Sequence, residues 1–165
     1  MSRRTSRHAS RQVSLQVLYA VDLATRSRPG EEFVTRMPPA AEEVFESVAE
    51  SFDLPEGART FAKQLVCGVM RRRDELDALL AQHARNWRIS RMAAVDRNVL
   101  RIAVYELLRT DTPTSVILDQ AIELARRFGD EPSPAFVNGV LDAVAHAVER
   151  PAMLMGEQMC TEEPE

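Results

Sequence analysis

The stretch that decides the fold lies at residues 92–108 and reads MAAVDRNVLRIAVYELL. Its apolar side chains recur with the 3.6-residue period of an α-helix, which predicts a helix here rather than a strand. They are Val95, Val99, Leu100, Ile102, Ala103, Val104, Leu107 and Leu108. This apolar surface is too wide for a helix that lies on the outside of a core. We therefore expect the helix to be central and buried on most of its sides.

Helical periodicity also dominates on both sides of this stretch, and no segment shows the alternation of a strand. The pattern predicts an opening helix at 3–24, a loop at 26–39, a short helix at 41–51 and a bend at Arg71–Arg73. Two further helices follow the central one, and Gly129 between them is expected in the left-handed conformation. We predict one all-α domain at residues 1–150. The remaining residues, 151–165, carry four glutamates and no basic residue, which predicts a disordered acidic tail.

The composition is that of an ordinary globular chain. Its 165 residues are 45% hydrophobic and 28% charged, and this length can bury a sizeable core without cross-links. The two cysteines, Cys67 and Cys160, do not form a disulfide framework, which indicates a reducing cytoplasm. No apolar run approaches the roughly 18 residues that a membrane-spanning helix needs, and we identify no signal peptide.

Positive charge is concentrated at the beginning of the chain. The first 21 residues carry four arginines and no acidic residue. These four are Arg3, Arg4, Arg7 and Arg11, at the spacing that places side chains on one helix face. Because they contribute +4 to a net charge of -4, the remainder of the chain sums to -8. Such asymmetry predicts a polyanionic partner that docks at one defined face.

The sequence lacks the common motifs of catalysis and cofactor binding. It has no Walker loop, no glycine-rich dinucleotide turn and no nucleophile elbow. His8, His83 and His146 do not stand at metal-ligand spacing with either cysteine. We therefore predict no enzymatic activity, no catalytic residues, no metal and no cofactor.

Four strings in the central and flanking helices together resemble the NusB family of transcription antitermination proteins. They occur in the family's order, at residues 9–19, 96–107, 121–129 and 136–142. Two positions depart from the pattern: Gln12 replaces a frequent acidic residue, and Ala93–Ala94 replaces a common proline. The resemblance implies an all-α fold of two stacked three-helix bundles, with about seven helices and no sheet.

The resemblance also implies a function without catalysis. The family binds the single-stranded boxA element of nascent RNA, chiefly in ribosomal RNA leaders. It does so with NusE, a ribosomal protein of the small subunit, and the pair alters elongation by RNA polymerase. For this chain the resemblance implies a cytoplasmic monomer or homodimer. Two rival readings remain open: a helical protein-interaction module with weak or no RNA binding, and a domain that assists a methyltransferase in trans.

Residues from three parts of the chain are candidates for RNA contact. They are Arg3, Arg4, Arg7, Arg11, Asp96, Arg97, Phe136 and Asn138. The four early arginines suit phosphate binding at a helix N-terminus, where the helix dipole adds to their charge. Phe136 follows a loop and could stack on an unpaired base. Asn138 could hydrogen-bond a base edge or a phosphate, and the family match extends RNA contact to Asp96 and Arg97.

Each candidate also has a purely structural interpretation. The arginine-rich tip could be a solvated helix end, Phe136 a core residue, Asn138 a helix cap and Asp96 a partner of the helix dipole. Trp87 could be a stacking platform or a core residue. Arg71–Arg73 could be a second basic patch or a solvated turn. Arg101 and Glu106 lie on the buried helix, where a charge needs a partner, so we expect ion pairs for both.

Overall fold

The computed structural model describes residues 3–25, 41–84 and 86–158, with side chains for 6–23, 41–84 and 86–149. The predicted loop at 26–39 and the side chains of Arg3 and Arg4 lie outside this described part. Within it there are seven α-helices, one short 3-10 helix at Ile89–Arg91 and no strand. The helices are α1 (Arg3–Thr25), α2 (Ala41–Ala49), α3 (Glu56–Arg71), α4 (Arg73–His83), α5 (Ala94–Arg109), α6 (Thr114–Phe128) and α7 (Ser133–Gln158). The all-α prediction is confirmed.

Helix α5 is the central element, as its wide apolar surface predicts. Every residue from Asp96 to Glu106 is buried. The helix packs against α1, α3, α4, α6 and α7. Helices α1, α2 and α3 also pack on one another, while α6 packs on α7. Helix α5 therefore joins the two helical groups of the fold through one shared core.

The contact between α1 and α3 is close because small residues face one another. The Ser10 hydroxyl donates a hydrogen bond to the Ala58 carbonyl oxygen at 2.7 Å. One turn later, the Ser14 hydroxyl donates to the Ala62 carbonyl oxygen at 3.3 Å. Both serines are buried, so these bonds satisfy hydroxyl groups that would otherwise be costly in a core.

Two local predictions differ from the structure. Gly129 follows α6 with φ -95° and ψ -176°, which is extended and not left-handed. A Cβ atom at Gly129 would lie 2.7 Å from both the Ala125 carbonyl oxygen and the Ser133 Cβ, so close approach requires the glycine. Helix α7 continues past residue 150 to Gln158 instead of giving way to a tail at residue 151. Ala, Leu and Met after Pro151 are strong helix formers, which favours this extension.

Gly68 provides a test of packing between α3 and α5. A Cβ atom at this position would lie 2.2 Å from Cζ of Tyr105, whose ring is buried on α5. We expect Gly68→Ala to lower the free energy of unfolding by roughly 1–3 kcal/mol, the usual cost of overpacking. Urea denaturation measures this change.

Gly57 is the matched control, because it lies in the same helix and a Cβ atom there meets nothing within 4 Å. Gly57→Ala should leave stability unchanged or raise it by up to about 1 kcal/mol. Equal stabilities for the two alanine variants would contradict the packing assigned to Tyr105.

Candidate nucleic-acid interface

The structure corrects the prediction for Arg11. Its side chain is only 3% exposed, and its guanidinium lies against Glu106 of α5. Nε donates to one carboxylate oxygen at 2.9 Å and Nη2 donates to the other at 2.7 Å. A phosphate could reach Arg11 only by displacing Glu106 from a buried bidentate pair, which would leave that carboxylate uncompensated. Arg11 is therefore a residue of the core, and the ion pair expected for Glu106 is confirmed.

Arg97 needs the same correction. Its side chain is 2% exposed and pairs with Asp22 near the end of α1. Its Nη1 donates to the carbonyl oxygens of Ile89 at 3.0 Å and Met92 at 2.9 Å. The guanidinium thus ties α1 to the segment before α5 and offers nothing to RNA. Arg101 forms the ion pair that we expected, with Nε 2.7 Å from Oδ1 of Asp77.

Of the two early arginines whose side chains the structure describes, Arg7 is the accessible one. Its side chain is exposed, and its Cζ lies 4.7 Å from the centroid of the Phe61 ring. Its Nη1 donates to the Thr112 hydroxyl at 3.4 Å, and no ion pair with a described carboxylate is present. The Arg7 guanidinium is therefore oriented by an aromatic face and a hydroxyl, and its charge is not neutralised by either.

Phe136 lies in an aromatic pocket at the start of α7. Its ring is half-buried and meets the ring of Trp87 edge to face, with centroids 5.7 Å apart. Trp87 is 58% exposed, so it forms a rim of the pocket and not part of the core. The two rings border a cavity of about 180 Å³. Its other lining residues are Arg91, Met92, Ala93, Asp96, Pro132 and Ser133.

Asp96 lines this pocket with an incompletely satisfied carboxylate. The residue is 8% exposed, and its Oδ1 is buried without a hydrogen-bond partner in the described part of the chain. Burial raises the pKa of the Asp96 carboxyl, a hydrogen bond with Ser133 lowers it, and the charge of Asp130 raises it further. Buried acceptors are normally paired, so this orphaned oxygen marks a place where a donor could bind.

Asn138 does not cap a neighbouring helix in the structure. It is exposed on α7, two residues after Phe136, and its side chain makes no hydrogen bond with the described residues. A Cβ atom on its neighbour Gly139 would also meet nothing within 4 Å. This face of α7 is open to a partner, so RNA contact by Asn138 remains a prediction.

The candidate residues fall at opposite ends of α5. Helices α1 and α5 run antiparallel, because Arg11 pairs with Glu106 near one end and Asp22 pairs with Arg97 near the other. Arg7 touches Thr112 just beyond the C-terminus of α5, whereas Asp96 lies in its first turn. At 1.5 Å per residue, the length of α5 between these ends is about 20 Å.

An open groove flanks α1 and extends to Val95 at the N-terminal end of α5. It has a volume of about 440 Å³ and is lined by Leu15, Gln16, Tyr19, Val95 and Phe128. Tyr19 is 38% exposed here, although its place in an apolar run suggested an anchor in the core. Sequence reasoning missed that Tyr19 lines this groove and that Arg91 lines the aromatic pocket. Only the packing of α1 reveals which side of that run faces solvent.

The arginines at the bend between α3 and α4 do not form a free basic patch. Arg71 pairs with Glu42, Arg72 with Glu75 at 3.2 Å and Arg73 with Asp77 at 4.0 Å. Each of the three arginines therefore lies beside an exposed or half-buried carboxylate, but Glu75 also pairs with Arg109 and Asp77 with Arg101, so the three positive charges are only partly neutralised. A solvated turn is the interpretation that this arrangement favours.

The comparisons with known proteins bear on the same helices. A model of the NusB family matches residues 8–146, from the exposed tip of α1 to the middle of α7. The chain belongs to the NusB family. The transcription antitermination protein NusB of Myxococcus xanthus is 41% identical over 147 residues, which cover 88% of this chain and 99% of that protein. NusB of Anaeromyxobacter dehalogenans is 45% identical over 144 residues, covering 87% and 91%.

A solved structure of the antitermination factors NusB and NusE in complex with double-stranded RNA has the same fold. Its matching chain superposes with a TM-score of 0.70 at 31% identity, over 87% of this chain and 98% of that one. The family resemblance and the all-α NusB fold are thus confirmed. Among the described residues, no cluster of His, Cys, Asp and Glu could hold a metal ion. None of the described helices is both long and apolar enough to cross a membrane.

Asp96 yields a prediction about stability. Burial raises the pKa of Asp96 in the folded state above its value of 3.8 in the unfolded chain. Folding therefore becomes less favourable as the pH rises from 3.8 through the higher pKa of the folded state. At neutral pH the charged carboxylate therefore destabilises the protein. We expect Asp96→Asn to be more stable than the parent in urea denaturation at pH 7, and the difference to shrink as the pH falls towards 4.

The control is Asp53→Asn, which changes an exposed carboxylate in a loop. It should leave stability at pH 7 within about 0.5 kcal/mol of the parent. A loss of stability in Asp96→Asn at pH 7 would show that the carboxylate is satisfied in the folded protein.

Proposed function

We propose that this chain is a transcription antitermination factor that binds a boxA-type single-stranded RNA in ribosomal RNA leaders together with NusE. The pair would then act on elongating RNA polymerase in the cytoplasm, and the chain itself would catalyse no reaction. Family membership and the function of its relatives as transcription antitermination proteins support this role. A NusB chain from a complex with NusE and double-stranded RNA has the same fold, which supports NusE and an RNA as partners, while the single-stranded form is argued from the pocket below.

The aromatic pocket is the observation that carries the RNA-binding proposal. Aromatic faces hold unpaired bases by stacking, and Trp87 and Phe136 meet at one cavity. The orphaned Oδ1 of Asp96 can accept a hydrogen bond from a base amino or imino group, as carboxylates do with the amino group of cytosine. Arg91 at the rim can meet a phosphate. In a duplex the Watson–Crick edges are paired and the base faces are stacked, so this chemistry favours a single strand.

Arg7 would bind the RNA backbone at the other end of α5. Its guanidinium is exposed and carries no neutralising carboxylate in the described residues. Arg3 and Arg4 lie in the first turn of the same helix, where a phosphate also gains from the helix dipole. A strand that touches both ends would pass along the groove beside Tyr19, and Asn138 would contact it on the open face of α7.

One observation favours the alternative, a helical interaction module with weak RNA binding. Arg11 and Arg97 are buried against carboxylates, which removes them from the positive surface, and each arginine of Arg71–Arg73 lies beside a carboxylate that lowers its local charge. Titration of a labelled boxA RNA with the protein alone, and then with NusE present, separates the two functions. Saturable binding that NusE strengthens supports antitermination, whereas no binding in either arm supports the interaction module.

Arg7→Ala tests the backbone contact. Loss of one phosphate contact should weaken boxA RNA binding and flatten the slope of log K against log salt by about 0.7. Fluorescence anisotropy between roughly 50 and 200 mM salt measures both quantities.

The matched control is Arg71→Ala, which removes the same charge from a residue that is exposed and paired with Glu42. Its salt slope should equal that of the parent protein. If both variants flatten the slope equally, the effect comes from net charge and the assignment of Arg7 fails.

Phe136→Ala tests base stacking in the aromatic pocket. Loss of a stacked base typically costs about 1–3 kcal/mol, which corresponds to a reduction in affinity of roughly 5- to 150-fold. The control is an RNA of the same length with abasic sugars opposite the pocket. The parent and Phe136→Ala should bind that RNA equally, since neither can stack. A persisting difference would mean that the substitution acts on the fold and not on a base.

A further inference from the structure

The charges at the beginning of helix α1 destabilise its first turns. Arg3, Arg4 and Arg7 occupy its first turns, and its first turn contains no acidic residue. The N-terminus of a helix carries partial positive charge, so arginines there destabilise the helical conformation. The first N–H groups also lack partners within the helix, which favours fraying. Contacts with other helices must therefore hold this turn in place.

His8 forms the most direct of these contacts. Its Nδ1 lies 2.7 Å from Oε1 of Gln120 on α6, and its Nε2 lies 2.8 Å from Nε2 of Gln12. In the neutral ring, Nδ1–H donates to Gln120 while Nε2 accepts from the Gln12 amide. All three side chains are half-buried, and both nitrogens of the ring are satisfied. We call this set the His8 bridge.

The His8 bridge lies beside the exposed arginine. Arg7 is the preceding residue and rests on Phe61 of α3 and on Thr112 in the turn before α6. The same helical turn is thus fixed to α3 by an aromatic contact and to α6 by a hydrogen bond. If the bridge were broken, the turn could fray and Arg7 would lose its fixed orientation.

We propose that His8 and Gln120 are positioning residues that keep the first turns of α1 helical in the free protein. They present Arg7 in an ordered geometry, so an RNA phosphate binds it without the entropic cost of ordering the turn. The role of His8 and Gln120 in orienting Arg7 for a phosphate rests on the proposed RNA-binding function. Their role in keeping the first turns helical does not, because it concerns the free protein.

Hydrogen exchange in the absence of RNA tests the effect on the helix. In His8→Ala and in Gln120→Ala, the backbone amides of residues 7–10 should exchange roughly 2- to 10-fold faster, the factor expected for one net hydrogen bond. Amides of α5 should be unchanged. Alanine is a better helix former than histidine, so intrinsic propensity opposes the expected effect.

Two further variants complete this experiment. Gln120→Glu keeps an oxygen that accepts from Nδ1–H, so it should retain slow exchange. Gln64→Ala changes an exposed glutamine on α3 and should exchange like the parent. Unchanged exchange at residues 7–10 in both bridge variants overturns the proposal, as does faster exchange that extends equally to α5, which would indicate global destabilisation.

A double-mutant cycle tests the presentation of Arg7. His8→Ala should weaken boxA RNA binding when Arg7 is present and have little further effect in an Arg7→Ala background. Additive losses of affinity overturn the positioning role, because they mean that His8 acts independently of Arg7. If the parent protein binds no RNA, the proposed function fails and with it the presentation of Arg7, while the exchange experiment still decides the role of the bridge in the helix.

Discussion

The antiparallel seam between α1 and α5 is the constraint on which the rest of the structure depends. Two buried ion pairs, Arg11 with Glu106 and Asp22 with Arg97, lie at its opposite ends. A buried charge without its partner is strongly destabilising, so sliding α1 by one turn would leave four charges uncompensated. The pairs therefore fix the register of α1 on α5. That register carries Arg7 beyond one end of α5 and Tyr19 to the groove near the other.

Arginines at this seam serve two different purposes. Arg11 and Arg97 point into the protein and meet carboxylates from the facing helix, whereas Arg7 lies one turn nearer the N-terminus and stays exposed. Arginine suits both places, since its planar guanidinium makes bidentate bonds with carboxylates and with phosphates alike. Residue type alone therefore does not separate an arginine that stabilises the fold from one that is free to bind RNA.

The aromatic pocket illustrates a different use of burial. Asp96 lies in the first turn of the best-packed helix, yet its Oδ1 has no partner among the described residues and burial raises its pKa. Neighbouring positions on α5 show that the fold can pair buried charges, as it does for Arg101 and Glu106. An unsatisfied carboxylate beside two aromatic rings thus lowers stability locally, and in the proposed function it would offer an acceptor to a base. Such local conflict is expected where binding, and not folding, determines the residue.

The sequence by itself determined that the chain is all-α, that residues 92–108 form its buried centre and that Arg101 and Glu106 need partners. These features follow from periodicity and from the cost of burying charge, which are properties of one helix at a time. Only the tertiary structure decided that Arg11 and Arg97 are buried and that Asp96 meets Trp87 and Phe136 at one pocket. It also showed that position 129 requires glycine because neighbouring atoms approach it too closely for a Cβ atom. Each of these features depends on which residues of distant segments face one another. The relative register of two helices fixes those pairs, and the sequence pattern of either helix alone does not reveal the register.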